Sequence, residues 1–117
     1  RMNTVLHKNA AAGKWFTFSL AEQMGNIGSE VGRAARWQGK DEKLFQGAAD
    51  RALELFDLTL GDSRWKHQGK LREIGRAREL FCSAVLGENA YDTSLEDIEH
   101  YLYPFAFAAR KDIKIGF

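Results

Sequence analysis

Apolar residues return at alternating intervals of four and three along most of this chain, and that rhythm leaves room for one fold class. Leu20, Met24, Ile27, Val31 and Ala34 are spaced 4, 3, 4, 3, and Leu95, Ile98, Leu102, Phe105 and Ala109 are spaced 3, 4, 3, 4. An α-helix turns once in about 3.6 residues, so each series forms one stripe that a neighbouring helix covers. Between them lie two further helical stretches. One runs from about Glu42 to Leu60, with Phe45, Ala48, Ala49, Ala52, Leu53, Leu55, Phe56 and Leu60 on an arc wide enough for two neighbours. The other runs from about Lys70 to Leu86, with Leu71, Ile74, Ala77, Phe81 and Val85 inward.

The ends of these stretches carry chemical stop and start signals. Ser19-Leu-Ala-Glu22 reads as a capping box, in which hydroxyl and carboxylate satisfy free N–H groups reciprocally. Thr93-Ser-Leu-Glu96 offers another. Gly39 and Asp41 mark a turn and an N-cap, and Gly87 suits a helix C-terminus. Residues 61–69 read as a loop, and Pro104 inside the last stripe predicts a kink or restart. The chain of 117 residues holds one Pro and no low-complexity tract, which fits a single domain. The expectation is an all-α, up-down antiparallel four-helix bundle over residues 17–110. An N-terminal extension covers 1–16, with Trp15 and Phe16 first to touch the core, and a tail covers 111–117 with Ile113, Ile115 and Phe117 alternating.

Beside the first stripe runs a second in which every residue is small: Ala21, Gly25, Gly28, Gly32 and Ala35. Glycine inside a helix costs about 1 kcal/mol against alanine, so three cost roughly 3 kcal/mol. Close approach of another helix, within the chain or across an oligomer interface, offsets such a cost. Close approach of a ligand or nucleic-acid backbone is the other reading.

Net charge is +1, but it is spread unevenly. Residues 63–87 carry Arg64, Lys66, Lys70, Arg72, Arg76 and Arg78 against Glu73 and Glu79. Residues 33–40 add Arg33, Arg36 and Lys40. Residues 88–109 hold Glu88, Asp92, Glu96, Asp97 and Glu99 with no Lys or Arg. Such faces can complement each other in a bundle or between subunits. They can also form a basic patch for nucleic acid. Arg64, Trp65, Lys66, Lys70, Arg72 and Arg76 are the candidate nucleic-acid residues, with arginines for phosphate and Trp65 to stack on a base. The competing reading of the same segment is a core-anchoring Trp beside arginines paired with the acidic second helix.

Catalytic signals are sparse, and no catalytic residue, metal ligand or cofactor is assigned. A ferritin-like di-metal site needs two Glu-x-x-His motifs, and the chain has only the near-match Asp97-x-x-His100. Glu54-x-x-Asp57 with Glu96-x-x-Glu99 could supply carboxylates to Mg²⁺, as in the all-α nucleotide pyrophosphohydrolases, although in the reverse of that family's order. HEPN-type ribonucleases need an Arg followed by His after four to six residues, and His67 and His100 lack one. Cys82, flanked by Phe81 and Val85, reads as core. A single cysteine, no signal-like N-terminus and no membrane-length apolar run fit a cytoplasmic protein.

Ser19-Leu-Ala-Glu-Gln-Met-Gly-Asn-Ile-Gly-Ser-Glu-Val31, Arg51-Ala-Leu-Glu-Leu-Phe-Asp-Leu-Thr59, Asn89-x-Tyr91 and Phe105-x-Phe-Ala-Ala-Arg110 together resemble a group of short bacterial and archaeal proteins of unknown function. The resemblance spans roughly residues 15–110 and implies no activity. Through Asn26-Ile27 and Glu30 the chain is also similar to four-helix-bundle proteins of ribosomal RNA intervening sequences and to the accessory protein of diversity-generating retroelements. Those families form rings, and some act beside nucleic acid or reverse transcriptase. The expected function is a non-enzymatic, homo-oligomeric binding or scaffold module, with a protein or ribonucleoprotein partner and no membrane. The alternative is the Mg²⁺-dependent nucleotide hydrolase.

Overall fold

A computed structural model describes residues 13–87 and 91–111. These residues are all-helical, with no strand among them. A 3-10 turn at Trp15–Thr17 leads into five helices: α1 (Leu20–Trp37), α2 (Glu42–Leu60), α3 (Ser63–His67), α4 (Leu71–Leu86) and α5 (Leu95–Lys111). Helix α1 lies against both α2 and α5, α2 packs on α4, and α4 on α5. The short α3 falls in the stretch expected to be a loop. It forms because Asp62 caps it, accepting the Arg64 N–H at 3.1 Å.

The end signals act largely as expected. Ser19 and Glu22 form the capping box of α1, Asp41 accepts the Leu44 N–H, and Gly87 closes α4 in a left-handed conformation at φ 75°. At α5 the cap sits one residue later than Thr93–Glu96. Ser94 Oγ accepts the Asp97 N–H at 3.1 Å, and the Asp97 carboxylate accepts the Ser94 N–H at 3.0 Å. Hydrogen bonding to the carboxylate, from the Ser94 backbone N–H first and its side chain second, holds the Asp97 carboxyl below its ordinary pKa. Helix α5 runs through Pro104 without ending there.

The expected stripes make up the core. Met24, Ile27, Val31, Phe56, Ile74, Phe81 and Leu102 are fully buried, with the Phe56 and Phe81 rings 5.8 Å apart. Trp15 is buried as expected. Phe16 is exposed, and Phe18 takes its place by packing edge-on to Trp15 at 5.6 Å. No helix of the described residues is long and apolar enough to cross a membrane.

Candidate functional site

The basic segment begins inside a buried polar network. Gln23 is fully buried on α1, and its amide nitrogen donates to the Trp15 carbonyl at 2.9 Å and to Asp62 at 3.1 Å. Its amide oxygen accepts the Trp65 indole N–H at 2.8 Å. The Trp15 indole donates to Thr59 at 3.2 Å. Arg64 grips Asp62 with two side-chain hydrogen bonds, at 3.0 and 2.7 Å, and donates to the Phe18 carbonyl at 2.7 Å. Its guanidinium also lies 4.4 Å from the centre of the Trp65 ring. The Arg64 hydrogen bond holds the Asp62 carboxyl below the usual range despite burial, and the same bond raises the Arg64 pKa. Two of the six candidate nucleic-acid residues, Arg64 and Trp65, are thus engaged in joining α3 to α1 and the 3-10 turn. Trp65 is only 5% exposed, so its indole is a core anchor.

Lys66, Arg72 and Arg76 are exposed, and Lys70 is half-buried. Arg76 rests 5.2 Å from the Tyr91 ring. Arg78 donates to Asp57 of α2 at 2.8 Å, and Arg51 of α2 to Glu30 of α1 at 3.2 Å. Basic and acidic helix faces therefore complement each other at these two points within the fold.

The small-residue stripe faces α5 of the same chain. A β-carbon on Gly25 would stand 2.8 Å from the Ala106 α-carbon, and one on Gly28 3.0 Å from the Leu102 β-carbon. The Glu99 carboxylate closes over Gly32. Ala21 and Ala35 are half-buried and pack against the core. These contacts run in opposite chain order, so α1 and α5 are antiparallel and nearly touch backbone to backbone.

The four carboxylates do not gather. Asp57 is tied to Arg78, Glu99 lies over Gly32, and Glu96 is exposed on α5. Among the described residues, no three His, Cys, Asp or Glu side chains are grouped to hold a metal ion. Cys82 is half-buried, its sulfur 3.8 Å from an Arg78 nitrogen, and His100 is exposed.

Surface depressions flank α5 among the described residues. A cleft of about 210 Å³ separates α4 from α5, lined by Ala77, Leu80, Ile98 and Tyr101 with Glu73, Arg76, Thr93 and Asp97 at its sides. Burial there, together with the Glu73 charge, raises the Tyr101 pKa. Along α1 and α5 runs a groove of about 310 Å³ bordered by Glu22, Asn26, Ser29 and Arg110. A second pocket of about 160 Å³, reaching Glu99 and Tyr103, adjoins it. The sequence reading missed the exposed aromatics of α5. Tyr103 is 61% exposed and Phe107 42%. The signal was present: they stand four residues apart, off the Leu95–Ile98–Leu102–Phe105 stripe. No family model, curated protein or solved structure matches the chain.

Proposed function

We propose that this chain is a non-enzymatic, self-associating module that works by binding, built as an up-down antiparallel bundle of α1, α2, α4 and α5 with α3 inserted in one link. The carrying observation is the uncovered aromatic face of α5. Tyr103 and Phe107 stand in solvent on a helix whose opposite face is core. Large exposed apolar groups in contiguous patches mark interaction sites or ligand-binding grooves. The side chains that looked chemically suggestive are instead spent on the fold's own contacts, Arg64, Trp65 and Arg78 among them. On this reading the partner is a protein or a ribonucleoprotein, met in the cytoplasm. Nucleic acid, if it is contacted, meets Lys66, Arg72 and Arg76 rather than a stacking Trp65.

Light scattering on a sizing column, with absorbance at 260 and 280 nm, tests the proposal. A defined oligomer free of excess 260 nm absorbance supports it. An oligomer whose excess 260 nm absorbance is stripped by salt adds a polyanion to its partners. A clean monomer at every concentration overturns self-association.

A further inference from the structure

We infer that the outer face of α1 and α5 is the surface through which two copies of this chain dock, around a two-fold axis running along the groove between these helices. The inference rests on the self-association proposed above and assigns it a face and a symmetry. The argument starts from register. Gly25 sits against Ala106, Gly28 against Leu102 and Gly32 against Glu99. One turn further, the same register sets Arg36 level with Glu96, both exposed. At the opposite end, Glu22 and Arg110 border one groove. Each end of the face therefore carries an acid on one helix and a base on the other, with the signs exchanged between the two ends. No ion pair involving Arg36, Glu96 or Arg110 is seen among the described residues.

A two-fold rotation about an axis parallel to the helices lays α1 of one copy over α5 of the other at the same level. Arg36 then meets Glu96 of the second copy, and Glu22 meets its Arg110, each twice. The middle of the face fits in the same way. Tyr103 borders the groove from α5, with Phe107 exposed one turn further on, whereas Gly25 and Ser29 on α1, with Ala106 beside them, make a low strip along the groove. The rotation places the aromatic ridge of each copy over the small-residue strip of the other. Charge and relief are thus self-complementary under one operator, as an isologous interface requires. An axis perpendicular to the helices would instead set α1 over α1 and α5 over α5, pairing Arg36 with Glu22 and Glu96 with Arg110. It would, however, lay each aromatic ridge against α5 of the other copy and not against the small-residue strip; relief, not charge, selects the parallel axis. The glycines act indirectly. By drawing α1 and α5 together they bring both halves of the face within reach of one partner.

The test uses Arg36→Glu and Glu96→Lys on the full chain, with circular dichroism to confirm the helical fold. Sedimentation at low salt should show wild type at twice 13.2 kDa. Each variant alone should dissociate about tenfold or more readily, because both symmetry-related pairs at the Arg36–Glu96 end then oppose like charges. Mixing the two variants, or joining both changes in one chain, should restore the dimer. Tyr103→Lys, at an exposed position, should dissociate it by a comparable factor without rescue from either charge variant. A monomeric wild type overturns the self-association reading itself. A wild-type oligomer indifferent to all three substitutions leaves that reading standing and overturns this face. Dissociation by both charge variants without recovery in the mixture overturns the axis.

Discussion

Helix α5 is shared by two neighbours, and they treat it differently. Against α1 it meets glycine, and a β-carbon added at Gly25 would stand only 2.8 Å from the Ala106 α-carbon. Against α4 it meets Ala77, Leu80 and Arg76, and a cleft of about 210 Å³ is left between them. Both neighbours contain glycine, but only α1 uses it for contact. Around Gly75 on α4 there is open space, with nothing within 4 Å of where a β-carbon would lie. Glycine content therefore says little about a seam until the atoms opposite each glycine are known. The same residue is a packing device at Gly25 and an uncompensated entropy cost at Gly75.

The largest effect that would break this contrast is expected from Gly25→Leu. The first added carbon already meets the Ala106 backbone, so α5 itself must shift. We expect a loss of about 3 kcal/mol by urea denaturation. A loss under about 1 kcal/mol would mean that the α1–α5 seam gives way as easily as the open one. Gly75→Ala sharpens the comparison with the opposite sign. Without a neighbour to strike, the substitution should gain about 0.8 kcal/mol through helix propensity alone, visible as a rise in Tm. If it destabilised instead, the surroundings of Gly75 would be closed in solution.

A third prediction concerns the end of α1 near Gln23, where the α3 network is anchored. The Asp62 carboxyl is held below its ordinary pKa by Arg64. Its contribution to stability is therefore complete above about pH 4 and is lost as the pH falls through the depressed value. Asp62→Asn should flatten that acid limb and lower stability near neutrality, with little change below it. An unchanged acid limb would show that the network does not couple to folding.

The helices were legible because their stripes are long, regular and bounded by caps, as at Ser19, Asp41 and Gly87. The cap of α5 was displaced by one residue because Ser94 and Thr93 both carry a hydroxyl and both precede an acid by three positions. Periodicity cannot choose between them. Helix α3 was missed because five residues are too few for a period, and its formation depends on Asp62 being held by a distant Gln23. For the same reason the sequence leaves Trp65 open between a stacking residue and a core anchor. Its burial follows from a partner 42 positions earlier, which no local pattern reveals. The glycine stripe was legible as a close contact, although its spacing did not identify the helix opposite.

The tight α1–α5 contact joins segments far apart in the chain: Gly25 and Ala106 meet across most of the described sequence. During synthesis α1 emerges early and waits, its small-residue face uncovered, until α5 has been made. Closing so long a loop gains nothing until the final helix docks, so the α1–α5 contact belongs late in folding. Weakening that seam should then speed unfolding far more than it slows refolding, which makes α5 the latch that sets how long the native state lasts.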